Sequence, residues 1–162
     1  MREGVERLES VRRVVDEILR LQPDEVQSRC GFVHLYGVST ACVILACKRG
    51  LDPQLCAVAG MLHDISAYKT EPTPDHALLG AQEAERIPSD LGTFTREQID
   101  LVCDAIACHS DKDRKHSEMA ELLKDADVLQ HYLYNPGLTP VPRGRLARVL
   151  EELGMGRLKV QP

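Results

Sequence analysis

Six side chains in this sequence are of kinds that bind divalent metals, and each lies where water is scarce. The segment "GMLHDIS" ends an apolar run on His63 and Asp64. His34 in "FVHLYG", His76 in "DHALLGA" and His109 in "IACHS" sit beside small or apolar residues, and Asp127 in "LLKDADVLQ" lies between Ala126 and Val128. One imidazole in such a setting is ordinary, since most are hydrogen-bonded and half-buried. Four imidazoles and two carboxylates in one small core are costly to desolvate, and coordinating a metal turns that cost into binding energy. Adjacent residues on a helix project about 100° apart. His63 and Asp64 can therefore reach one ion only where a helix ends, and "SAYKTEPTP" reads as the loop that follows. His76 and Gly80 are one turn apart, and Gly80-Ala81 leaves room beside the imidazole for a substrate or a neighbouring helix. Asp125 competes with Asp127 for the inward position. His131, four residues after Asp127, shares its helical face and either supports the site or is simply exposed. His116 reads as a surface residue.

The order His, His-Asp, distant Asp resembles the HD-domain metal-dependent phosphohydrolase superfamily. The matching residues are His34 in "FVHLYGVSTA", His63 and Asp64 in "GMLHDIS", and Asp127 in "KDADVL", so the resemblance covers about residues 29–134. Two-metal members of the superfamily add two histidines between the pair and the last Asp. "HALLGA" and "AIACHS" resemble those segments and give His76 and His109, as in HD-type dinucleoside polyphosphate hydrolases and cyclic-dinucleotide phosphodiesterases. The resemblance implies one metal held by His34, His63, Asp64 and Asp127. It implies a second held by Asp64, His76 and His109, with Asp64 bridging. Iron or manganese suits such donors best, with zinc or magnesium as alternatives.

Two divalent ions a few Å apart lower the pKa of a bridging water, supply hydroxide near neutral pH and offset the charge that builds in an in-line displacement. The implied activity is hydrolysis of a phosphoester or phosphoanhydride of a nucleotide or related small phosphate. Asp64 and His63 would be catalytic, with Asp64 orienting or deprotonating the water. Lys112 in "HSDKDRKH" and Lys69 are the residues expected to hold the substrate's phosphates. Many relatives read His-Asp-Ile-Gly-Lys at the pair, whereas this chain reads His63-Asp64-Ile65-Ser66-Ala67. The phosphate-binding lysine of that motif is absent unless Lys69 reaches in from the loop. Two other readings share the scaffold: a di-iron oxygenase, and a non-catalytic metal-stabilised ligand-binding module.

The elements that must position these residues read as helices, in an all-α bundle of six or seven helices and a single domain over residues 1–162. An amphipathic helix runs from about Val5 to Leu21 and stops at Pro23, with a short turn over about Pro23 to Arg29. The next covers about Gly31 to Lys48 and stops at Gly50. "LDPQLCAVAGMLHD" opens with Asp52 as N-cap and Pro53 at the first helical position. It is apolar nearly all round, which marks a central helix. A fourth helix covers about Pro74 to Arg86, before Pro88. Another opens on a capping box, Thr95 with Gln98. Two more cover about Glu118 to Tyr134 and Pro142 to Leu153.

Composition agrees with a helical globule. Of 162 residues, 43% are hydrophobic and 28% charged, with 4% aromatic and no Trp. The net charge of −5 argues against a long nucleic acid as partner. The charged start "MREGVERLESVRR" does not resemble a signal peptide, and no apolar run reads as a membrane span, so a cytoplasmic location is expected. No two of the six cysteines are spaced C-x-x-C; they read as small buried hydrophobes. The apolar faces of the first and last helices can pack inward or onto a second chain, which leaves a homodimer open.

Overall fold

A computed structural model describes residues 2–69, 76–136 and 143–156; at 2–5, 76 and 77 it describes the backbone alone. The described residues form seven α-helices and one 3-10 turn, with no strand among them. The order is α1 (Arg2–Arg20), α2 (Glu25–Arg49), α3 (Pro53–Leu62), the 3-10 turn Ile65–Tyr68, α4 (His76–Leu91), α5 (Arg96–Cys108), α6 (Glu118–Tyr134) and α7 (Arg143–Glu152).

The centre of the bundle is α3. The Asp52 carboxylate accepts from the amides of Gln54 (2.8 Å) and Leu55 (3.2 Å), which starts the helix. Every residue from Leu55 to Leu62 is buried. α2 and α6 pack on it and on each other, and the Ser39 hydroxyl of α2 donates to the Ala57 carbonyl of α3 at 2.9 Å. α1 closes one side with Val11, Val15 and Leu19, one helical turn apart and fully buried.

Three elements differ from the sequence expectations. α2 is one continuous helix from Glu25, because Asp24 caps it by accepting from the amides of Val26 (2.7 Å) and Gln27 (3.3 Å). Gly31, expected to begin that helix, lies inside it, where the Leu19 and Tyr68 side chains leave no room for a Cβ. α4 continues through Pro88 to Leu91, because only one turn remains to be made before Gly92 closes it at φ 63°. The stretch after Asp64 is a 3-10 turn rather than an open loop, since Ile65 and Ser66 are buried. The expected helix starts at Pro74 and Pro142 lie outside the described residues.

α2 is also long and apolar enough to cross a bilayer on length and composition, which the sequence reading did not expect. In the bundle it packs between α3 and α6 and carries part of the site described below. The cysteine expectation holds for Cys42 and Cys56, which are buried, whereas Cys30 and Cys47 are exposed and Cys103 and Cys108 half-buried.

Candidate metal centre

Four helices bring their polar side chains to one place: α2 gives His34, the end of α3 gives His63 and Asp64, the end of α5 gives His109, and α6 gives Asp127. His63 and His109 each cap a helix, so adjacent His63 and Asp64 both face inward. His34 Nε2 lies 3.1 Å from His63 Nε2. The Asp64 carboxylate is 3.4 Å from His34, 3.3 Å from His63 and 3.2 Å from His109, each measured to Nε2. Asp127 Oδ1 is 3.8 Å from His34 Nε2 and 4.0 Å from His63 Nε2.

The ring orientations are fixed from behind. His34 Nδ1 donates to Gln130 Oε1 at 2.9 Å. His63 Nδ1 donates to the Gly60 carbonyl at 2.9 Å, and His109 Nδ1 to the Ile106 carbonyl at 2.7 Å. With Nδ1 held as a donor, each ring turns its Nε2 toward the cluster, where a neutral ring offers a lone pair. The Nε2 atoms of His34 and His63 then face each other at the centre of the cluster. Asp64 Oδ1 and Asp127 Oδ1 are buried, with His109 Nε2 and His131 Nε2 each 3.2 Å away. Imidazole nitrogens and carboxylate oxygens that converge in this way can hold a cation.

The spacing fits one. Two donor sets lie with all ligand atoms within 4.8 Å of one another: His34, His63 and Asp127, and His63, Asp64 and His109. Donors at about 2.1 Å from a shared ion are roughly 3–4 Å apart. The cluster can therefore hold a metal ion, through imidazole and carboxylate donors.

The electrostatics favour the same use. Burial disfavours a charged Asp64, but His63, His109 and His34 outweigh it and hold its carboxyl well below the usual range. Burial likewise opposes charge on Asp127, and His131, His63 and Lys112 together pull its pKa down. His34 is raised above the ordinary imidazole value, because Asp64, Asp127 and Gln130 outweigh its burial.

The expected site residues fall as follows. His34, His63, Asp64, His109 and Asp127 come together. Asp125 faces away, paired to Arg49 and Arg145 at 2.7 Å each. His76 opens α4, but its side chain lies outside the described residues. Gly80, one turn on, sets α4 against the cluster: a Cβ there would lie 2.5 Å from the His63 carbonyl oxygen. The space that Gly80 leaves is thus used by the His63 backbone. Lys112 Nζ stands 2.6 Å from Asp127 Oδ2, at the edge of the cluster. Lys69 is drawn instead to Glu83 on α4, at 2.5 Å. His131 is both half-exposed and engaged, with Nε2 3.2 Å from Asp127 Oδ1. His116 is not a plain surface residue, since its Nδ1 accepts from the fully buried Lys124 at 2.7 Å.

Gln130 was not among the expected site residues. A lone glutamine carries no motif signal, and its place three residues after Asp127 on α6 is the one hint the sequence holds. Gly37 makes room for it, since a Cβ there would lie 2.8 Å from Gln130 Cγ.

Fold and site together define a helical domain built around an inward His/Asp cluster. The HD domain family model matches residues 31–132, and the chain belongs to that family. It is similar to ribonuclease Y from Chlorobium luteolum, 30% identical over 127 residues, which are 76% of this chain and 22% of that protein. It is also similar to ribonuclease Y from Clostridium tetani, 33% identical over 97 residues, 59% of this chain and 17% of that protein. The chain thus spans about a fifth of the length of these relatives. Among solved structures, it resembles a predicted HD superfamily hydrolase from an uncultured Thermotogales bacterium, determined at 1.45 Å. The TM-score is 0.63 at 23% identity, over 86% of this chain and 83% of the other, and it bears out the all-α fold.

Proposed function

We propose that this protein is a metal-dependent phosphohydrolase that cleaves a phosphoester or phosphoanhydride of a nucleotide or related small phosphate. The observation that carries the reading is the convergence of imidazole and carboxylate atoms, above all the two Nε2 atoms of His34 and His63 at 3.1 Å. His34, His63, Asp64 and Asp127 would hold one ion. Asp64 and His109 would hold another, with His76 as the further ligand that the family resemblance implies. Iron or manganese is the preferred metal for these donors. Bound there, the ions supply acidified water and positive charge against the phosphoryl oxygens.

The chain's own groups do the rest. Asp64, kept ionised by three imidazoles, accepts the proton of the attacking water or orients it. Lys112 presents an ammonium at the cluster edge, where it can turn from Asp127 to a phosphoryl oxygen. The similarity to ribonuclease Y brings in an RNA phosphodiester as the competing substrate, against which the net charge of −5 weighs.

The test is a screen of nucleoside phosphates and an oligoribonucleotide under anaerobic conditions, with protein loaded with manganese or iron. Phosphate release that Asp64→Ala abolishes supports the proposal. Turnover that requires oxygen and mixed-valence iron would make the protein an oxygenase. Metal bound without turnover of any phosphate would make it a ligand-binding module.

A further inference from the structure

The apolar faces of the first and last helices were candidates for packing onto a second chain. Both pack inward instead: Val11, Val15 and Leu19 of α1 and Leu146, Val149 and Leu150 of α7 are buried. The open apolar face is on α2. Val26, Cys30, Val33, Thr40, Ile44 and Cys47 are exposed along it, with half-buried Gly37 in the middle. Steps of four and three residues alternate along this row, the spacing of a seam between two helices. The exposed Tyr134 ring of α6 shares a cavity wall with Cys30 and Val33. Single exposed apolar side chains are ordinary on a protein surface, whereas a continuous row marks an interaction site. α2 is apolar on both sides, which is why it passes for a membrane span, and a helix of that kind is normally buried all round. α3 and α6 cover its inner side. A single chain leaves the outer side in water.

The row is complementary to itself. Antiparallel pairing about Gly37 sets Val26 against Cys47, Cys30 against Ile44 and Val33 against Thr40, the members of each pair being equidistant from Gly37 to within one residue. The larger side chain meets the smaller in every pair. Gly37 meets itself, so no side chain holds the two axes apart at the centre. A two-fold axis requires this kind of self-matching. The ends agree with it, since α2 begins on Glu25 and closes on Lys48. Antiparallel pairing brings acid near base and opposes the two helix dipoles, and parallel pairing would set like on like. The size suffices as well. Val26 to Cys47 spans about 32 Å at the helical rise. A contact of that length and about 20 Å wide, the width of two helices, covers roughly 640 Å². Each partner in a standard interface gives about 600–1,000 Å². A bilayer surface fits less well, because helices that lie on one are rich in Lys and Arg along the polar side, and this chain carries a net charge of −5.

We propose that the protein is a homodimer in which two copies of α2 pack antiparallel along this row, about a two-fold axis at Gly37. Cys30 and Val33 also line the cavity beside His34 and Asp64, so the second copy covers part of its rim.

Sedimentation equilibrium of the manganese-loaded full chain should show a dimer in the micromolar range. Ile44→Glu puts a charge into the seam twice per dimer and should weaken association by roughly a hundredfold or more, with manganese affinity unchanged. Leu101→Glu is the control: Leu101 is on α5 and 46% exposed, against 49% for Ile44, and its replacement should leave association as it was. Val33→Cys with Thr40→Cys, in a chain whose Cys30 and Cys47 are replaced by Ser, should give a covalent dimer on oxidation with diamide, and neither new cysteine alone should do so. A chain that stays monomeric over that range, a dimer that Ile44→Glu leaves as tight, or a double-cysteine variant that does not crosslink overturns the proposal. A monomer that binds vesicles of phosphatidylcholine and phosphatidylglycerol, and loses them on Ile44→Glu, overturns it too and gives the row to a membrane surface.

Discussion

Gln130→Met would separate a metal centre from a merely polar core. Gln130 accepts the Nδ1 proton of His34 at 2.9 Å and is itself 8% exposed. Met has a similar volume and fills the notch at Gly37, but offers no acceptor of comparable strength. The His34 proton then has reason to move to Nε2, where Asp64 Oδ2 at 3.4 Å and Asp127 Oδ1 at 3.8 Å can receive it. A metal must displace that proton before it can bind. Loss of such an outer hydrogen bond costs about 10–100-fold in metal affinity, or about 1.4–2.7 kcal/mol. Competition against a fluorescent chelator with manganese or zinc reads this directly. Gln130→Glu keeps an acceptor behind His34 and should hold affinity at or above that of the unaltered protein. An unchanged affinity in Gln130→Met, with its fold intact by circular dichroism, would refute the assignment of His34 as a ligand oriented from behind.

Other substitutions read the scaffold. Gly80→Ala forces a Cβ to 2.5 Å from the His63 carbonyl oxygen, where neither backbone can yield. It should cost about 1–3 kcal/mol and weaken metal binding together with the melting temperature. Lys124→Met removes a fully buried ammonium that donates to the Arg114 carbonyl, His116 and Glu121 at 2.7–2.8 Å. Since Glu121 keeps Arg145, the expected loss is about 2–3 kcal/mol, seen as a melting temperature lower by roughly 5–10 °C. Burial opposes charge on Glu121, but Lys124, Arg145 and the His116 amide hold its pKa down at about 2. A carboxyl depressed in the folded state stabilises the fold above its unfolded value of about 4.3, and that contribution is lost as the pH falls toward 2. Glu121→Gln should flatten the fall in melting temperature over this window, and an unchanged slope would remove Glu121 from the network.

The parts of this fold legible in the sequence are those set by neighbours along the chain. Asp52-Pro53 and Thr95 with Gln98 start helices by local hydrogen bonds, and both do so in the structure. The His63-Asp64 pair at the end of an apolar helix, and the family resemblance it anchors, pointed to five residues that the fold then brings together. What the sequence hid depends on distant partners. Asp125 and Asp127 look alike in "KDADVL", and only Arg49 and Arg145, from α2 and α7, show which turns away. Glu83 on α4 decides where Lys69 goes. Gln130 matters through His34, 96 residues away. Gly31 read as a helix start, whereas it lies inside the helix, where Tyr68 and Leu19 packing against it require its bare backbone.

His34, His63, Asp64, His109 and Asp127 form the proposed metal centre. Elemental analysis of protein purified anaerobically without added metal, beside Asp64→Ala prepared the same way, tests it most directly. The expected result is close to two equivalents of iron or manganese per chain, lost when Asp64 is replaced. Protein that stays metal-free even after reconstitution, or metal that Asp64→Ala retains in full, would contradict it.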